Sequence, residues 1–177
     1  MQLKCKPDSR GNPVVPGMRI SLMPHQVHGV KWMVDCENDP KLGNLENTDI
    51  EEEQSNYNEV KSVRSVGGGI LADDMGLGKT IQSIAMMVHN RPQRTDPVKV
   101  MYLSFLLTQT TLIVAPVSLI RQWARELERR TKKRIFKVHI HHGKTALKTE
   151  KEFLSYDVII TTYGTLMQGF RIFLPLL

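Results

Sequence analysis

The sequence predicts an α/β fold built on a parallel sheet. Three observations carry that prediction. Four runs of strand length stand at 70–72, 111–115, 137–141 and 157–161. Stretches with helical spacing separate them, and short strands divided by helices pair in parallel through crossovers. Between the first run and its helix lies a glycine-rich turn ending in Gly76-Leu77-Gly78-Lys79-Thr80. A chain of 177 residues is long enough to bury one such core.

Taken in order, residues 1–21 are rich in turn formers, with Pro7, Gly11, Pro13, Pro16 and Gly17, and read as an irregular lead-in. Pro24 suits the first turn of a helix running to about Cys36. Residues 38–66 are polar and acidic, with three glutamates at 51–53. They read as a solvated loop insertion. Ile70, Leu71 and Ala72 form a short strand into the glycine turn. Ile81, Ile84, Ala85 and Val88 give the next helix its apolar face. Residues 98–109 add a second apolar run just before a strand that is already complete. They are an atypical insertion: an extra strand, an extension of the next one, or translated intron. Thr-Leu-Ile-Val-Ala at 111–115 is a buried strand. Leu119, Ile120, Trp123, Ala124 and Leu127 line one face of a helix over 116–130. That spacing makes Trp123 a core residue rather than a stacking platform. A strand at 137–141, a short helix at 145–154 and the strand 157–161 complete the pattern.

Charge is unevenly spread. The formal net charge is +6, yet nine of the 18 acidic residues lie between Asp35 and Glu59. The rest of the chain is strongly basic, so an anionic partner is expected. Cys5 and Cys36 lack metal-ligand spacing and fit a reducing compartment. His139, His141 and His142 have no cysteine or acidic neighbour and are not read as a metal site. No 18-residue apolar run and no leader-like start is present, so no membrane association and a soluble intracellular protein are expected.

The segment Gly-Gly-Ile-Leu-Ala-Asp-Asp-Met-Gly-Leu-Gly-Lys-Thr, residues 68–80, carries most of the chemistry. Strand, glycine turn and helix start are the parts of a loop that cradles a polyphosphate. Glycines let backbone N–H groups approach the phosphates, and the helix end adds unpaired amides and a favourable dipole. Lys79 is placed for the β- and γ-phosphates and Thr80 for Mg²⁺. The usual first glycine of this motif is replaced by Asp73. Alone the loop implies a nucleotide with Mg²⁺; with the resemblance given below, the expected ligand is ATP with Mg²⁺, held by Asp73, Asp74, Met75, Gly76, Leu77, Gly78, Lys79 and Thr80.

Three further segments stand with this loop. Leu-Met-Pro-His-Gln at 22–26 precedes it, with Gly29, Trp32 and Met33. Thr-Leu-Ile-Val-Ala-Pro-Val-Ser-Leu-Ile-Arg-Gln-Trp at 111–123 and Tyr-Asp-Val-Ile-Ile-Thr-Thr-Tyr-Gly at 156–164 follow it. In this order they resemble the first RecA-like lobe of the SWI/SNF family of helicase-like, DNA-dependent ATPases, most closely its fungal helicase-like transcription factor and postreplication-repair branch. The resemblance implies a P-loop RecA-like lobe over 22–168 with flanking helices. It accounts for Asp73, which the family commonly carries. It implies that Gln26 reads the adenine edge. It places Pro116, Ser118 and Gln122, and Thr161, Thr162 and Tyr163, along a track for the DNA backbone. It further implies a nuclear protein acting on double-stranded DNA or chromatin without sequence preference, and a second RecA-like lobe as partner.

Two expectations concern what these 177 residues lack. No Asp-Glu-x-His motif follows Tyr163, and the apolar residues 169–177 are read as a tail outside the family pattern. The lobe is therefore expected to be incomplete at its C-terminus, with an unpaired edge beside Val158 and Ile160 and with incomplete hydrolysis machinery. The rival readings are a non-enzymatic DNA- or partner-binding module that retains a nucleotide site, and a small P-loop kinase. A kinase has no use for the segments at 115–123 and 161–163. The basic run from Arg129 to Arg134 reads as a solvated helix end or as a screen for a DNA backbone.

Overall fold

The computed structural model describes residues 3–38, 68–91 and 110–173. The acidic insertion, the 98–109 insertion and residues 174–177 lie outside the described residues. Two short strands come first, β1 (Lys6–Pro7) and β2 (Pro13–Val14), paired antiparallel. Asp8 closes their turn by accepting the amides of Arg10 and Asn12 at 2.8 and 2.9 Å. Residues 1–21 thus contain a small hairpin where an irregular lead-in is expected. They also supply Val15 and Met18, both fully buried, to the core.

Helix α1 (Pro24–Asn38) starts as its sequence dictates. Pro24 needs no amide partner in the first turn. Gln26 turns back and accepts the Met23 amide at 3.0 Å, closing half of a capping box. Gln26, Val30 and Val34 recur every fourth residue on the buried face. Helix α2 (Lys79–His89) packs on α1 and buries Gln82, Ile84, Ala85, Met87 and Val88.

The main sheet has three parallel strands, β3 (Thr111–Val114), β4 (Val138–Ile140) and β5 (Val158–Thr161), in the order β3-β5-β4. All four residues of β5 are buried. This corrects the expectation of an open edge beside Val158 and Ile160. That strand is the centre of the sheet, paired on both sides, and β3 is an edge, where Leu112 is about half exposed at 48%. Helix α3 (Ile120–Arg130) connects β3 to β4 and covers the sheet with Ile120 and Leu127, with Trp123 and Ala124 packed beside them. A 3-10 turn (Gly143–Thr145) and the single turn of α4 (Glu150–Phe153) replace the expected helix at 145–154. Helix α5 (Tyr163–Phe173) follows β5.

One expected strand is not formed. Ile70, Leu71 and Ala72 run without a ladder, and Ile70 is 85% exposed. The segment leans on α1 instead. The Trp32 ring lies where a Cβ on Gly69 would stand, and the Leu71 side chain reaches the space beside Gly29. Three glycines at 67–69 precede this segment and weaken strand formation, and of its three apolar residues only Ile70 has a strong strand preference. Among the described residues no helix is long and apolar enough to cross a membrane.

Candidate nucleotide-binding site

The turn 75–77 and the start of α2 build the site. Gly76 and Gly78 hold φ of 88° and 84°, the left-handed region that side chains disfavour. Gly78 is the residue from which α2 starts, and the first intrahelical bond runs from the Gln82 amide to its carbonyl at 3.0 Å. The amides of Lys79, Thr80 and Ile81 come before that bond and have no carbonyl inside the helix. Lys79 folds back over the loop and donates to the carbonyls of Asp73 and Asp74 at 2.6 and 3.0 Å. Its ammonium thus sits against two carbonyl oxygens of the turn and is capable of exchanging them for phosphate oxygens. Thr80 is half-buried beside it.

The loop is braced from two sides. Gln26, 6% exposed, donates from Nε2 to the Leu77 carbonyl at 3.2 Å. His25 Nε2 lies 3.1 Å from the same oxygen. From below, Gln82 Nε2 donates to Asp73 Oδ2 at 2.7 Å. Gln82 Oε1 is buried without a hydrogen-bond partner, against the face of Gly29, where a Cβ would overlap it. His25 and Gln82 escape a reading of the sequence alone. The signal for Gln82 is a polar residue on the buried face of an otherwise apolar helix. Both polar atoms of the Gln26 amide, expected to read an adenine edge, are engaged: Oε1 accepts from Met23 and Nε2 donates to Leu77.

The residues fit a triphosphate. No atom lies within 4 Å of the position a Cβ would take on Gly76, so the loop is open there to a ligand. Three free amides, a lysine and a hydroxyl form a donor set for anionic oxygens. Among the described residues no group of three His, Cys, Asp or Glu side chains could hold a metal ion. A magnesium ion here would rest on Thr80 and on phosphate oxygens.

The second group of expected residues gathers at the C-terminal edge of the sheet. The Ala115 amide donates to the Thr161 carbonyl at 3.0 Å, so the segments after β3 and β5 leave side by side. Pro116, Ser118 and Gln122 are exposed there, as is Tyr163 at 62%. Thr161 and Thr162 are buried. The Thr161 hydroxyl donates to the His141 carbonyl at 2.9 Å. Thr162 Oγ1 accepts the Thr165 amide at 3.2 Å, capping α5, and lies 3.0 Å from the Thr165 hydroxyl. In this structure Thr161 and Thr162 hold the turn, and Tyr163 is the member of the three that faces outward. In open α/β sheets, ligands bind outside the carboxyl ends of the strands.

Residues 25–173 match the family model described as the SNF2-related domain. The chain belongs to that family. An ATP-dependent helicase of Schizosaccharomyces pombe is 34% identical over 157 residues, which cover 88% of this chain and 12% of that protein. The ATP-dependent helicase ULS1 of Saccharomyces cerevisiae is also 34% identical over 157 residues, covering 87% of this chain and 8% of the relative. The DNA repair protein RAD5 of Debaryomyces hansenii is 35% identical over 119 residues, 59% of this chain and 10% of that protein. The chain thus spans about a tenth of the length of these relatives. Within this SNF2-related domain the glycine turn with Lys79 and the C-terminal sheet edge are the two places where the expected site residues collect.

Proposed function

We propose that these residues form the ATP-binding part of the first RecA-like lobe of a nuclear, DNA-dependent translocase. Its track is double-stranded DNA or chromatin, read without sequence preference, and a second RecA-like lobe completes it. One observation carries the reading. Lys79 sits inside a turn made by left-handed Gly76 and Gly78, next to amides with no helical partner. A triphosphate entering that turn replaces the Asp73 and Asp74 carbonyls at the ammonium, while the amides of Lys79, Thr80 and Ile81 bind its oxygens. The Thr80 hydroxyl would hold a magnesium ion, whose charge would offset that of the triphosphate. Gln26 and His25 hold the loop through Leu77. For the adenine edge, Gln26 must trade one of its two bonds for the base.

Pro116, Ser118, Gln122 and Tyr163 meet the DNA backbone at the sheet edge, with Thr161 and Thr162 positioning the turn behind them. Hydroxyl, amide and phenol groups suit contacts that orient a duplex without reading it. Titration calorimetry with Mg·ATP tests the core of this reading. Lys79→Ala is expected to weaken binding at least tenfold, because a charge-assisted contact is lost. Equal affinity in the variant and the parent would overturn it.

A further inference from the structure

The basic run at the end of α3 forms the rim of a cavity of about 1010 Å³, bounded by α3, β4 and the 3-10 turn. We propose that this cavity is a second site for the phosphate backbone of duplex DNA, separate from the sheet-edge track. The proposal rests on the DNA-acting reading given above.

Five cations line the cavity: Arg19, Arg129, Lys132, Lys133 and Arg134. A single carboxylate, Glu128, stands with them. Among the described residues the ion pairs are Arg91–Asp157 and Arg130–Glu126, so none of the five is paired. Cations at the end of a helix have a simpler explanation in the helix dipole. That explanation covers Arg129. It does not cover Lys132, Lys133 and Arg134, which lie beyond the helix, nor Arg19, which comes from a distant part of the chain.

Arg19 is brought there by specific bonds. Its amide donates to the Arg130 carbonyl at 2.7 Å, and the Lys132 amide donates to the Gly17 carbonyl at 2.8 Å. Two segments are thereby stapled so that their cations converge, against mutual repulsion. Arg134 adds a second cost. Its φ is 66°, and among the described residues it is the one non-glycine in the left-handed region. A large side chain is held there where glycine or asparagine is the unstrained choice. A concave, unpaired positive surface of this kind matches a polyanion with closely spaced charges. Duplex DNA carries one phosphate charge per roughly 1.7 Å of axis. The cavity lies at the C-terminal end of α3, whereas Ser118 and Gln122 lie at its start. An 11-residue helix is about 16 Å long, so one strand of backbone could touch both ends.

The test uses the full 177-residue chain, a fluorescent duplex and a salt series. The pocket variant is Lys132→Gln with Lys133→Gln and Arg134→Gly. The track variant is Ser118→Ala with Gln122→Ala and Tyr163→Ala. For the pocket variant we expect at least a tenfold loss of duplex affinity at low salt. The slope of log affinity against log salt should fall by about 2 to 3, near 0.9 per lost phosphate contact. Mg·ATP affinity should stay constant, and the melting temperature should hold or rise as the strain at 134 is relieved. A pocket variant with the parent's affinity and slope would overturn the proposal. So would poly-glutamate binding at least as tightly as the duplex and losing that binding on the same substitutions, which would assign the cavity to an acidic protein. If the track variant binds like the parent while the pocket variant does not, the cavity stands and the sheet-edge assignment fails. If Lys79→Ala leaves ATP binding intact while the pocket variant loses DNA, the nucleotide reading fails alone.

Discussion

Gly78 carries two constraints at once. Its φ of 84° disfavours any side chain, and a Cβ there would run into Gln26 Nε2, the group that holds the Leu77 carbonyl. Gly76 has a similar φ of 88° but nothing within 4 Å. The two glycines therefore separate backbone strain from lost bracing. Gly76→Ala should cost about 1 kcal/mol, the price of the left-handed region alone. Gly78→Ala should cost about 2–3 kcal/mol and also displace Gln26 from the loop. Urea denaturation of the two variants checks this, and a larger loss at Gly76 would remove Gln26 from the account. His141 gives a pH effect. Its Nδ1 accepts the Leu147 amide at 2.9 Å, which requires that nitrogen to be unprotonated, and its ring packs 5.0 Å from that of Phe153. Burial, then the charges of His139 and His142, hold its pKa below the ordinary 6.5. Burial, with Lys4 nearby, does the same to His89. Protonation then favours the unfolded chain. The stability these rings contribute is complete above pH 6.5 and is lost as pH falls toward their lowered folded values. Denaturation midpoints should drop between pH 7.5 and pH 5.5, and His141→Gln should flatten part of that drop.

At the scale of elements, α5 depends on one hydroxyl. Thr162 caps it through the Thr165 amide while its own carbonyl accepts the Leu166 amide at 2.9 Å. Thr162→Ala should destabilise the chain by about 1 kcal/mol and loosen the turn that presents Tyr163, whereas Thr162→Ser should retain most of both. Hydrogen exchange at the first turn of α5 distinguishes the two. A Ser variant as unprotected as the Ala variant would mean that the methyl group, not the hydroxyl, holds the turn. Elements with their own local signals were legible in the residues. Pro24 marks the start of α1, the apolar spacing of Ile84, Ala85 and Val88 marks α2, and the run Val158, Ile159, Ile160 marks β5. The glycines and Lys79 of the loop were legible for the same reason, since a phosphate turn has a local chemistry. What depends on distant partners was not legible. The central place of β5 rests on pairing with both β3 and β4. The missing ladder at 70–72 reflects a preference for Trp32 and α1 over a neighbouring strand. The brace at His25 has no signal in the spacing, that at Gln82 shows only as a polar residue on an apolar helix face, and Gln26 reveals its bond to Leu77 only when α1 and the loop are packed together.

For the molecule as a whole, the question is how much of a phosphoryl-transfer machine these residues hold. On the proposed reading the loop supplies the positions for a triphosphate and its metal: Gly76, Gly78, Lys79 and Thr80 on one continuous turn. Binding alone does not accelerate hydrolysis, since only groups that act more strongly on the transition state do so. Two kinds are needed, a carboxylate or amide that orients the attacking water and a cation that meets the developing charge. The Asp73 carboxylate is already engaged and does not fill the first role. Asp73 is held by Gln82 Nε2, and its own carbonyl faces Lys79. No Asp-Glu-x-His segment occurs in the 177 residues. On the function proposed above, the second role falls to arginines of another lobe, worth roughly 10³–10⁵ in rate at comparable sites. The five unpaired cations beside α3 line a separate cavity, bounded by β4 rather than by the loop. The expectation is therefore a chain that binds Mg·ATP through Lys79 and binds duplex DNA, yet shows no DNA-stimulated phosphate release. A longer chain continued through an Asp-Glu-x-His segment and a second lobe should gain that activity. Phosphate release from both forms, with and without duplex, decides the matter. DNA-stimulated turnover by the 177-residue chain, abolished by Lys79→Ala, would mean that a water-orienting group lies among residues assigned here only to binding.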